Sequence, residues 1–325
     1  MRGPKERTAI VSKATATISY KGKEYRLRSL SLGPNLDIVI RGRFIRVGRI
    51  RNEFWMRASD LPEIPVLVER LRGMPDRPDI LVVSQKLPDV QAKYRYPLEW
   101  DNLAVTHFST YADWLAKQVA RDARSQVRKA GREGVRVEVV PFSDGLVEGI
   151  CSIYNEIPVR QGRKFWHYGK DAEAVKRENS SYLDRSLFLG AYFGAELIGF
   201  IKLVFDGEVA HILQILSKSA HFLKRPNNAL IAKAVEVSEA RGAHYLSYGG
   251  YVYGKKEQSS LIEFKKSLGF VKMDIPRYVI PLTVRGRLGL KLAWHRGFKE
   301  RIPAPLIYLG SDLRLKLYRV LGKAR

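Results

Sequence analysis

The 325-residue chain is 45% hydrophobic and 28% charged with 15 prolines, which is not the composition of a disordered protein and suits one large core or two modest ones. Its 57 Lys and Arg against 33 Asp and Glu give a net charge of +24, pointing to a polyanionic partner: nucleic acid, anionic lipid headgroups or a phosphorylated substrate. A single cysteine, Cys151, excludes an intrachain disulfide and fits a reducing compartment.

In chain order, the basic start MRGPKERTAIVSK has no apolar run behind it, so no signal peptide is expected. The first fifty residues alternate like strands: ATATISY, KEYRLR after a turn at Lys21-Gly22, LDIVI, and RFIRVG after Gly42. They predict a small antiparallel sheet. VLVERLR then reads as a short helix, and DILVVS and NLAVTHF as strands. Trp114, Leu115, Val119, Ala123 and Val127 recur at helical spacing and predict one long helix from Thr110 to Ala130, with Arg121, Arg124, Arg128, Lys129 and Arg132 on its other faces. VRVEVV resumes as a strand. Asp144 is a candidate cap for a helix carrying Leu146, Ile150, Ile153 and Ile157, with Cys151 as a structural thiol beside that stripe.

The apolar stretch from Ser186 is broken by Glu196 and Lys202 and reads as strands, with glycine turns at Gly194 and Gly207, not as a membrane span. A helix starts near Asn227 and Asn228 and closes at Arg241 and Gly242; HYLSYGG is the next strand. Ser260 and Glu263 form a capping box for a last short helix, ended by Gly269 with Phe270 beyond it. From Arg285 to Arg325 the acids are Glu300 and Asp312 alone, against eleven Lys or Arg, and Leu288, Leu292, Trp294 and Phe298 supply apolar anchors. This basic amphipathic tail fits an anionic membrane surface, RNA phosphates or a packed terminal helix equally.

The order helix, helix, three antiparallel strands, helix, strand, helix, strand describes an α+β fold with a mixed sheet. The hairpin GAYFGAELIGFIKLV, the helix and strand ALIAKAVEVSEARGAHYLSYG and the closing SLIEFKKSLGF resemble the GNAT superfamily of acyltransferases. RSQVRKAGREGVRVEV, and GG followed by a Lys-rich loop and FKK, resemble its Fem-type aminoacyltransferase branch. The resemblance is clearest over residues 124–283. It implies a GNAT-like mixed sheet flanked by helices, in which a V-shaped splay between two central strands holds an activated acyl group for attack by an amine. The expected organisation is a β-rich region over 1–60, an acyltransferase domain over 61–284 and the basic tail over 285–325.

Several site residues follow from the resemblance. GNAT proteins hold the donor pyrophosphate at a helix N-terminus with a glycine-rich loop. The matching stretch here is Lys224-Arg225-Pro226-Asn227-Asn228, where the asparagines can adopt positive φ and the cations add charge. Lys265 stands where acetyltransferases often carry a tyrosine general acid and where Fem-type enzymes carry a lysine that stabilises charge. Gln214 and Lys218 are further donor-side candidates. Asn155, Arg160, Arg163, Trp166, His167 and Tyr168 form a cationic and aromatic segment where the superfamily builds its acceptor site.

His211 is either a proton acceptor or a structural strand histidine. Tyr251, with Tyr248 and Tyr253, offers proton donors or an aromatic rim. No metal-ligand spacing, catalytic triad order or phosphate-binding Walker loop occurs. The sequence thus predicts a cytoplasmic N-acyltransferase, with the inner face of the membrane as a peripheral location. Acyl-CoA or aminoacyl-tRNA would be the donor, and an amine on a cell-envelope or glycan precursor the acceptor. The competing reading is a non-catalytic nucleic-acid or membrane-surface binder on the same fold.

Overall fold

The computed structural model describes residues 13–20, 23–160, 162–253 and 259–296. Its elements, in chain order, are β1 (Lys13–Tyr20), β2 (Lys23–Ser31), β3 (Asp37–Arg41), β4 (Val47–Ile50), α1 (Ile64–Arg72), β5 (Ile80–Ser84) and β6 (Leu98–His107). There follow α2 (Tyr111–Asp113), α3 (Arg121–Arg132), β7 (Val135–Val140), α4 (Asp144–Tyr154), β8 (Val159–Arg160), β9 (Arg163–Lys164) and α5 (Ala172–Asn179). The rest are β10 (Ser186–Phe193), β11 (Glu196–Asp206), β12 (Val209–Ser217), α6 (Pro226–Ala240), β13 (Tyr245–Ser247), α7 (Ser260–Ser267), β14 (Val271–Pro281) and α8 (Val284–Lys291).

These form two compact units, each an α+β assembly of a mixed sheet flanked by helices. The first takes in the described residues up to Asp101 and those from Asp274 to Arg296. Its strands run β1-β2-β3-β4-β5-β14, antiparallel except for the parallel β4–β5 pair. Ile38 and Ile40 of β3 and Leu81 and Val83 of β5 point to one face, where Leu67, Val68 and Leu71 of α1 cover them. Burial of that apolar stripe, more than propensity, holds a nine-residue helix in place. The strand expected at RFIRVG begins only at Val47. Gly42, at φ +97°, turns the chain so tightly that a Cβ there would sit 2.1 Å from the carbonyl oxygen of Ile45, and residues 43–45 are spent on that turn.

The second unit, Asn102–Met273, orders its strands β6-β13-β12-β11-β10-β7, with β12 and β13 parallel and the other pairs antiparallel. Turns at Gly194 (φ +59°) and Gly207 (φ +56°) join β10, β11 and β12 as expected. Helix α6 packs on one face against Ile198, Ile201 and Leu203, while α4 and α5 cover the other face against Phe188 and Phe200.

The single helix expected over 110–130 is instead two pieces. After α2 the chain widens into a π turn over Trp114–Gln118, in which the Val119 N–H donates to the Trp114 carbonyl, and it opens before α3 starts. Gln118 is the cause: its amide donates to the His107 carbonyl (2.7 Å) and its oxygen accepts from the Thr106 hydroxyl (2.9 Å), while the Ala120 N–H leaves for the Ser267 carbonyl (2.8 Å). The caps of α4 and α7 are Ser143 and Ser259, one residue before those expected. Most of the expected basic tail, from residue 297 on, lies outside the described residues, as do residues 1–12, 21–22, 161 and 254–258. Among the described residues no helix is long and apolar enough to cross a membrane.

Candidate active site

Strands β12 and β13 are paired at Val209–Tyr245, Ala210–Leu246 and His211–Ser247, and not beyond. Two local causes pull them apart. On β13, the chain past Ser247 stays with β6: the Tyr248 N–H donates to the Ala104 carbonyl and the Gly249 carbonyl accepts from the Ala104 N–H, each at 2.8 Å. On β12, Leu213 is an extra residue against β11, because Lys202 faces Gln214 while Leu203 faces Ile212. Such a bulge bends its strand and adds twist, so β12 follows β11 and a wedge opens between the two parallel strands.

The wedge is a cavity of about 420 Å³. Ile215, Leu216 and Ser217 of β12 form one wall and Tyr248 the other; Ser260, Leu261 and Phe264 of α7 close one end. The remaining sides come from Asn227 in the first turn of α6 and from Arg160 and Phe165 of the loop after α4. The lining is mainly apolar with a few polar groups, which suits a small organic group held in a fixed orientation.

Arg160 is the best-anchored of these polar groups. Its guanidinium lies 4.3 Å from the Phe165 ring centroid and donates to the carbonyls of Ser217 and Ile153, each at 2.9 Å. It also pairs with Glu156 at 3.1 Å. The Glu156 carboxylate accepts in addition from the backbone N–H groups of Ser219 (2.7 Å) and Ala220 (2.8 Å). One carboxylate thus ties the loop after α4 to the end of β12. Glu156 was not among the expected site residues; its spacing of four from Arg160 is the sequence signal that could have found it.

Lys265 is fully buried. Its ammonium donates to the carbonyls of Tyr248 and Gly250, both at 2.7 Å, and sits 4.4 Å from the Tyr248 ring centroid and 5.0 Å from that of Tyr253. Burial lowers its pKa from 10.5 to about 8. It does not line the cavity; it fixes the backbone of the wall residue Tyr248 and puts positive charge behind it. Tyr251 packs half-buried against the same core, and His211 lies buried in the last paired position of β12, below the wedge.

The remaining expected residues are dispersed. Arg225, not either asparagine, takes the left-handed conformation (φ +59°) before α6, and Pro226 opens the helix; Asn227 reaches the cavity while Asn228 is buried in α6. Proline at that position supplies the helical φ, so the turn must be made one residue earlier. Lys224 lies over the Phe193 ring, 4.0 Å from its centroid, and 3.9 Å from Glu133. Lys218 is held by Ser152 and Glu196, each at 2.7 Å.

Asn155 bonds the carbonyls of Cys151 (3.1 Å) and Lys170 (2.8 Å) and the Gly169 N–H (2.7 Å), so it shapes the loop. Arg163 is exposed, and Trp166 and Tyr168 are each 44% exposed. His167 is buried beside Tyr154, with Nε2 3.3 Å from Nε2 of Gln214, whose amide also donates to the Tyr154 hydroxyl at 2.7 Å. Burial, reinforced by the charges of Lys170 and Arg160, pulls the His167 pKa from 6.5 down to about 3, so its ring is neutral.

A second buried lysine went unrecognised. Lys202, opposite Gln214 in the β11–β12 register, is fully buried and donates to the Asn179 carbonyl (2.7 Å), the Ser181 hydroxyl (3.2 Å) and the Ser181 carbonyl. Its pKa is likewise lowered by burial to about 8. The lone charge inside LIGFIKLVF was its signal. Among the described residues no group of three or more His, Cys, Asp or Glu is placed to hold a metal ion.

No protein-family model matches the sequence, and no curated protein matches it. Among solved structures the chain is similar to FemX, at 11% identity over 87% of this chain and 90% of that one, with a TM-score of 0.53. It is similar as well to the C-terminal domain of a putative lysylphosphatidylglycerol synthetase from Agrobacterium fabrum, at 13% identity over 80% and 85% of the two chains, with a TM-score of 0.50. These likenesses show the fold: the chain has a Fem-like GNAT fold.

Proposed function

We propose that this chain is an acyl- or aminoacyltransferase that forms an amide, with the wedge between β12 and β13 as its reaction cavity. The observation that carries the reading is the parting of those strands after His211 and Ser247, which leaves a partly open, largely apolar space where an acyl carbonyl can lie beside strand backbone that has no β13 partner. An amine nitrogen attacks the carbonyl carbon, the bond to the donor's sulfur or oxygen breaks, and the amine proton ends on the departing thiol or hydroxyl. The cavity contributes orientation. Lys265 contributes a fixed positive charge behind Tyr248, as negative charge gathers on the carbonyl oxygen.

Arg160 and Phe165 form the acceptor side and Asn227 the donor side. A name such as lysylphosphatidylglycerol synthetase denotes attachment of an aminoacyl group, and with the FemX likeness it supports an ester- or thioester-activated donor. The two donors in question are acyl-CoA and aminoacyl-tRNA, and the acceptor is an amine of a cell-envelope or glycan precursor. The test is incubation of the purified full chain with acetyl-CoA, longer acyl-CoAs or a mixture of aminoacyl-tRNAs, each with a panel of amino sugars and peptides. Mass spectrometry would detect the amide. A new amide with one donor class, lost on Ser260→Trp (which places an indole in the mouth of the wedge), supports the reading. Absence of any amide across both donor classes overturns it.

A further inference from the structure

The first unit carries a cavity of about 680 Å³ that the transferase reading does not use. Arg26 and Arg28 of β2 line it from one side, Arg41 and Arg43 from the other, and Tyr25 borders it. The pattern follows from local structure. Two residues apart on one strand, Arg26 and Arg28 share a face and stand roughly 7 Å apart. The tight turn at Gly42 carries Arg41 and Arg43 on either side of it.

All four arginines are exposed, and none has an ion-pair or hydrogen-bond partner among the described residues. Their neighbours differ: Arg46 is paired with Asp79 at 3.4 Å and Arg51 with Asp37 at 3.5 Å. No acid lines the cavity among the described residues. Four arginines without an acidic partner border one concavity, and a ligand carrying several negative charges would balance them.

We propose that this groove binds the phosphodiester backbone of a single RNA strand. Guanidinium groups match phosphate oxygens in planar, bidentate fashion. The repeat along β2 is of the order of the step between successive phosphates on an extended strand. Tyr25 (44% exposed) and, beside Arg43, Phe44 (77% exposed) give bases an aromatic edge to stack on. A flat bilayer surface does not enter a concavity, and a lone diphosphate leaves part of the cationic set unmatched. The net charge of +24 is in keeping with a long polyanion. The inference concerns other residues, in the other unit, than the reaction cavity, and it does not depend on which donor the transferase uses.

The test is fluorescence anisotropy with a labelled twelve-nucleotide oligouridylate and the full chain between 50 and 300 mM KCl. It compares the wild type with Arg26→Gln/Arg28→Gln/Arg41→Gln/Arg43→Gln. Each lost phosphate contact lowers the slope of log K against log salt by about 0.7, so the slope falls by about 3 and affinity at 0.1 M salt by on the order of a hundredfold. The same four positions changed to Lys retain most of the slope. Arg121→Gln/Arg128→Gln/Arg132→Gln on α3 changes it by less than about 1.

Should the fourfold Gln variant fail to fold by circular dichroism, each double variant is expected to lower the slope by about 1.4. An unchanged slope in folded Gln variants overturns the proposal. So does an effect seen only with phosphatidylglycerol vesicles, or only with a nucleoside diphosphate added alone.

Discussion

Lys265 makes a sharp test of the electrostatics, because its ammonium is buried without a carboxylate in any of its hydrogen bonds. Below pH 8 the residue is charged in both folded and unfolded chains, and the folded state carries the full cost of removing that charge from water. Between pH 8 and 10.5 the folded state has released its proton while the unfolded state retains it. The unfolded state then binds more protons, so stability rises with pH. A fall in pKa from 10.5 to about 8, at about 1.4 kcal/mol per pH unit, corresponds to roughly 3 kcal/mol.

Lys265→Met keeps the volume and removes the titration. Urea unfolding of wild type and variant at pH 7, 8, 9 and 10 is expected to show the stability difference moving in favour of the wild type by about 2 to 3 kcal/mol, most of it above pH 8. Lys202 titrates alike in both proteins and cancels. A difference that stays flat from pH 7 to 10 would refute the reasoning, because an ammonium that keeps its ordinary pKa is not desolvated.

Arg160→Ala removes the partner of two carbonyls and of Glu156, and is expected to destabilise the second unit by about 2 to 3 kcal/mol and to raise the acceptor KM at least tenfold. Arg160→Lys should recover only part of both effects, since one ammonium cannot span three acceptors. Gly286→Ala in α8 brings a Cβ within 1.9 Å of the Asp79 carbonyl oxygen; thermal unfolding should report a loss of about 3 kcal/mol or more. The imidazole signals of His167, followed by NMR, are expected to stay flat between pH 5 and 8, because its pKa is about 3. Its protonation is postponed by the fold, so its contribution to stability declines as pH falls from 6.5 toward 3, and a midpoint near 6.5 would contradict the burial argument.

Much of the fold is legible in the sequence because its signals are local. The glycines at 194, 207 and 269 supply backbone conformations that other residues resist, and the alternation in β10 to β12 reports a two-faced burial. The π turn after α2 was not legible, since Gln118 breaks the helix by reaching Thr106 and His107, contacts that exist only once β6 is in place. The site shows the same division. Arg160 could be placed by its position after one helix end and Asn227 by its position at the start of another helix, and the structure sets both on one cavity. Lys218 and Lys224 look equally available in sequence, yet each is taken up by an acid that lies more than twenty residues away. The parting of β12 and β13 depends on a bulge at Leu213 that no residue type announces.

The central claim is that the wedge receives the donor's carbonyl group. Its most direct test is a crystal structure of the full chain with a non-transferable donor analogue, either an acyl-CoA with a methylene in place of the thioester sulfur or an amide-linked aminoacyl adenosine. The account predicts the analogue's carbonyl against the Ile215–Ser217 backbone, facing Tyr248. An analogue seated elsewhere, or strands paired past Ser247 with no space between them, would contradict it.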